Sequence, residues 1–181
     1  MDYEELSSKN TLIDLDPDSA LDHLGALIDL STDLEKQEGL EISIVLSQEL
    51  IENNLIKNKK DLCILHYFIG NAWNSLKKIK FNENWENIKW ESEETEREIL
   101  HLRIALNGDG FNDLNINRKC QILTNLGNAM DEIGRFVEAI EYWNKALEID
   151  DSFAMAIGNI GEGLGNYARY LYDRRHSIAL L

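Results

Sequence analysis

Side chains capable of covalent or acid–base chemistry are few in this chain and poorly spaced for it. Arg169 and His176, with six residues between them in "RYLYDRRH", come nearest to an acid–base couple. The four histidines (His23, His66, His101, His176) are scattered, with no HxxxH or HExxH spacing. Cys63 and Cys120 belong to no CxxC or Cys/His pattern, so they read as reduced, partly buried thiols. Asp109 and Asp113 in "NGDGFNDLN" lack the alternating acid spacing and closing Glu of a calcium loop, so the stretch reads as a turn. There is no glycine-rich phosphate loop and no Ser/His/Asp arrangement. The residues therefore predict no catalytic role, no metal and no cofactor.

Composition narrows the partners. With 33 acidic against 18 basic residues, the formal charge is −15, which opposes docking on nucleic-acid phosphates or anionic lipid. The short basic clusters Lys57–Lys60, Lys77–Lys80 and Arg174–Arg175 suit helix ends, where cations meet the helix dipole. No run approaches the ~20 apolar residues of a bilayer span. The acidic start "MDYEELSSKN" lacks the apolar core of a secretory signal. A soluble cytoplasmic chain is expected.

What must position any site is helical. Apolar residues recur every three or four positions, with no alternating strand run. Asp16-Pro17-Asp18 is a helix start, an acidic cap followed by proline in the first turn. One helix is predicted over about 18–34, burying Leu21, Leu24, Leu27 and Ile28. A second, over about 39–54, turns Leu40, Ile44, Ser47, Leu50 and Ile51 to one face. A third carries Ile64, Tyr67, Phe68 and Trp73 from about Asp61 to Lys78, and a fourth spans 92–107.

Further on, Leu123-x2-Leu126-Gly127-x2-Met130 is followed by Ala139-x3-Trp143 and Ala146. This resembles the tetratricopeptide (TPR) repeat, a 34-residue antiparallel helix pair, with Asp151 where proline is usual. Gly127 and Ala139 should let the paired helices approach, Ala146 should admit the next repeat, and Gly134 suits the left-handed residue ending the first helix. Related spacings recur. Ile157-x2-Ile160-Gly161-x2-Leu164 places Gly161 34 residues after Gly127, and His66-x2-Ile69-Gly70-x2-Trp73 lies upstream. The resemblance implies an all-α, TPR-like solenoid of helical hairpins in a right-handed superhelix, as one domain over 1–181. Its parts would be a degenerate or capping pair (16–56), a divergent repeat (61–107) with an inserted loop (79–91), a clear repeat (120–153) and a partial repeat (154–181). Because "SIALL" ends without a polar cap, the chain is expected to continue into a longer protein.

The same resemblance implies where a partner would sit. In such repeats the first helix of each pair lines the concave side, which here assigns Tyr67, Asn71 and Asn74, then Gln121, Thr124, Asn125, Asn128 and Asp131, then Gly158, Asn159 and Glu162. Asparagine is a poor helix former, but its amide both donates and accepts and so can hold an extended peptide backbone. Asn71 and Asn125 match the two asparagines of carboxylate-binding TPR domains. Tyr67, Met155 and Asn159 stand at the basic positions, so a neutral or basic protein or peptide is expected rather than an acidic tail. More loosely, "LHYFIGNAW", "LRIAL", the central repeat and the 154–176 stretch resemble the N-terminal region of bacterial proteins with a C-terminal HEPN domain. That resemblance implies a sensor or scaffold half of a toxin or defence protein. It implies nothing catalytic for these residues; as an alternative, the spacing of Arg169 and His176 resembles the R-x4-6-H pattern of HEPN ribonucleases and implies a metal-independent ribonuclease. A third alternative is self-association through the last helix, giving a homo-oligomer. Trp85 and Trp90, in the inserted loop, are expected to dock on the helices.

Overall fold

The computed structural model describes residues 2–81 and 91–178, with side chains as far as Tyr172. Trp85, Trp90 and the side chain of His176 lie outside the described residues. Eight α-helices and one 3-10 turn, and no strand, are present among the described residues. The chain divides into two compact units, Met1–Leu114 and Asn115–Leu181.

The first unit holds α1 (Tyr3–Ser7), α2 (Pro17–Asp33), α3 (Gln37–Glu52), α4 (Lys59–Phe81) and α5 (Glu93–Asn107). Asp16 caps α2 through the Ser19 amide at 3.0 Å, and Pro17 fills the first turn, where no backbone donor is needed. Neighbouring helices pack in sequence, and α2 also meets α4. Leu24, Leu27, Leu40, Leu50, Leu65 and Leu76 form the shared core. Ile51, expected on the buried face of α3, is 38 % exposed because the core lies to the Leu50 side. A polar zipper also joins α4 to α5. Lys77 Nζ meets Glu98 Oε2 at 2.5 Å with both side chains buried, Asn74 donates to Glu98 Oε1 at 2.6 Å, and Lys80 pairs with Glu94 at 2.8 Å.

The "NGDGFNDLN" segment closes against the start of α4. A Cβ on Gly108 would come within 2.7 Å of Cys63 Sγ, and Lys59 Nζ holds Asp109 at 2.7 Å. Burial pushes the Cys63 thiol above its ordinary range, so it is a poor nucleophile.

The second unit holds α6 (Ile116–Glu132), α7 (Phe136–Ile149) and α8 (Ala154–Ile178). Asn115 caps α6 through Arg118 N at 2.8 Å. Gly134, at φ +78°, ends it with Arg135 N donating to Met130 O at 2.8 Å, the closure that glycine permits. The indole of Trp143 on α7 lies between two glycines. A Cβ on Gly127 of α6 would fall 2.6 Å from Trp143 Cδ1, and one on Gly163 of α8 would fall 2.8 Å from Cη2. Gly161 does not repeat the role of Gly127, for nothing lies within 4 Å of its missing Cβ.

Candidate partner-binding face

Spacings of three, four and three residues put Gln121, Thr124, Asn128 and Asp131 on one face of α6. Asn128 is the junction of the second unit. Its Oδ1 accepts from Trp143 Nε1 at 2.9 Å and from Asn159 Nδ2 at 2.6 Å, tying α6 to α7 and α8. Asp131 Oδ2 accepts from Asn166 at 3.4 Å, while its Oδ1 is buried without a hydrogen-bond partner. Burial raises the Asp131 carboxyl above the usual carboxylate range, and the charges of Glu162 and Glu132 add to the rise. Gln121 Oε1 and Thr124 Oγ1 are likewise buried without partners. Such atoms cost about 1–3 kcal/mol each, so this stripe is held at some expense to stability.

The structure separates the expected groove residues. Asn125 and Asn159 are half-buried and Glu162 is exposed. Tyr67 and Thr124, expected to face a partner, are only 6 % and 1 % exposed and belong to the interior. Asn74 and Asn128 give their polar atoms to Glu98 and to Trp143 and Asn159, so they act as internal ties. Asn71 is half-buried in the first unit. Arg169 is exposed on α8.

One grouping went unread in the sequence. His66 on α4 and His101 on α5 meet Nδ1 to Nδ1 at 2.9 Å, with ring centroids 5.1 Å apart. One ring must donate and the other accept, so the two cannot both be protonated. Burial lowers both imidazoles, and His101 falls to about 4 because His66 and Arg97 add positive charge beside it. The rings line a cleft of about 510 Å³ with Ile44, Ile51, Ile69, Trp73 and Leu100. Only the register of the α4–α5 hairpin, set by Gly70 packing on Leu102, would have revealed the pairing. Among the described residues no group of three metal-ligating side chains occurs, and no helix is long and apolar enough to cross a membrane.

Residues 120–153, which take in α6 from Cys120 onward, its closing turn, α7 and the turn beyond, match the family model of the tetratricopeptide repeat. No curated protein and no solved structure matches the chain. That match shows a tetratricopeptide repeat over residues 120–153, carried on an all-helical fold of packed neighbouring hairpins.

Proposed function

We propose that the chain is a protein-binding scaffold that holds a neutral or basic peptide on the α6–α8 side of its second unit. Repeats of this family generally mediate protein–protein contacts. The observation that carries the finer reading is the matched repeat's first helix, which keeps Asn125 half-buried with the acidic Asp131–Glu132 pair further along it, while Glu162 on α8, close enough for its charge to act on Asp131, is exposed. An amide can align a peptide backbone there, and the carboxylates favour a cation over an acidic tail. A cytoplasmic place within a larger bacterial protein is part of the proposal, supported by the acidic composition and by the HEPN-associated resemblance.

The test is titration of the chain, by fluorescence anisotropy, with labelled peptides that differ only in being basic, neutral or acidic at the C-terminus. Basic or neutral peptides should bind, and Asn125→Ala with Glu162→Lys should weaken them about tenfold or more. Tight binding of the acidic peptide, lost on adding salt, would overturn the proposal.

A further inference from the structure

The face of α8 turned away from α6 and α7 is unlike the rest of the surface. Ile157, Gly158, Gly161, Leu164, Gly165, Ala168 and Tyr172 form one stripe along it, without a charge, in a protein where charged residues make up 28 %. Ile157, Leu164 and Tyr172 are 52 %, 49 % and 63 % exposed. A Cβ on Gly158, Gly161 or Gly165 would meet nothing within 4 Å. The opposite face does the packing inside the unit, through Ala156, Asn159, Gly163 and Tyr167. Large apolar residues interleaved with glycines give both knobs and hollows, the property a self-complementary contact needs.

We propose that this stripe pairs with the same stripe of a second copy, the two α8 helices running antiparallel about a two-fold axis near Gly165. Three features of the sequence and structure select that occupant and direction. First, Glu162 and Arg169 lie seven residues apart, on the same flank of the stripe, and both are exposed. Antiparallel pairing centred between them sets Glu162 of each copy beside Arg169 of the other, whereas parallel pairing about a two-fold would put these charges against the opposite flank of the partner, where neither meets the other. Second, the same register lays Tyr172 of one copy over Gly158 of the other. That repeats between chains the packing the protein already uses internally, where the Trp143 ring lies against Gly127. Third, Gly161 then faces Ala168, so the helices can approach closely at the crossing. One helix face per copy is a small interface, so dissociation is expected on the order of micromolar rather than nanomolar. The pairing shares Glu162 with the proposed peptide site and otherwise uses the other side of α8, and its test is run without peptide.

Light scattering on the whole chain across a dilution series tests it. A monomer–dimer equilibrium is expected, abolished by Leu164→Glu. Glu162→Arg alone should weaken it about tenfold, and Glu162→Arg with Arg169→Glu should restore it to within about threefold. All these side chains are exposed, so circular dichroism should be unchanged. Gly158→Cys with Tyr172→Cys should give a covalent dimer on mild oxidation, and Tyr172→Cys alone should not, because the two-fold keeps the two copies of that residue apart. A chain monomeric at the highest concentration it tolerates would overturn the proposal. So would a dimer indifferent to Leu164→Glu, or one that the double charge reversal fails to restore.

Discussion

Adding one methyl group to α8 should have opposite effects at two glycines two residues apart. Within a helix, glycine to alanine ordinarily gains about 1 kcal/mol, because alanine loses less backbone freedom on folding. At Gly161 nothing lies within 4 Å of the new Cβ, so Gly161→Ala should show that gain. At Gly163 the new Cβ would stand 2.8 Å from Trp143 Cη2, well inside the ~3.5–4.0 Å carbon–carbon optimum. The ring cannot yield freely, since Gly127 of α6 closes on its other side and Asn128 Oδ1 holds its Nε1 at 2.9 Å. Overpacking of this kind costs about 1–3 kcal/mol, and a weakened indole hydrogen bond adds about 1 kcal/mol. Against the propensity gain, Gly163→Ala should lose roughly 2 kcal/mol, leaving the variants about 3 kcal/mol apart. Urea unfolding followed by circular dichroism, on protein dilute enough to be monomeric, reads the difference as a shift in midpoint. Equal stability of the two variants would refute the lodging of Trp143 between α6 and α8.

Three other outcomes follow from the first unit. Folding depresses His101 from an ordinary 6.5 to about 4, and lowers His66 as well; the unfolded chain thus binds more protons between those values. Stability should be full above about pH 6.5 and fall by roughly 1–2 kcal/mol as pH drops towards 4. His101→Gln should flatten that slope in thermal melts, and an unchanged slope would contradict the buried pair. Lys77→Met leaves Glu98 buried without its cation and should cost about 3–5 kcal/mol, with Lys77→Met/Glu98→Leu recovering most of it in urea melts. Glu35 closes α2 at φ +52°, so Glu35→Gly should raise the melting temperature, by relief of about 1 kcal/mol.

Much of the helical framework was legible because it is encoded locally. Asp16-Pro17, Ser92 and Gly134 place their helix ends within a residue or two, since caps and left-handed closures depend on neighbouring residues alone. The 34-residue motif likewise located the α6–α7 pair. The candidate face was legible only in part. Periodicity puts Tyr67, Thr124 and Asn128 on helix faces, but whether a face is open or covered depends on what packs over it.

The amino-acid sequence by itself determined the helices, their pairing around Gly127 and Trp143, and a strongly acidic net charge. Tertiary structure alone decided that Gly163, and not the register-matched Gly161, receives the Trp143 ring. It also brought His66 and His101 together and turned Asn128 into a tie between helices. The reason is physical. Caps, propensity and periodicity act over four residues or fewer, whereas close approach and shared hydrogen bonds are set by how one helix rotates against another. The glycine spacing on α8 contains no record of that rotation until α7 is packed against it.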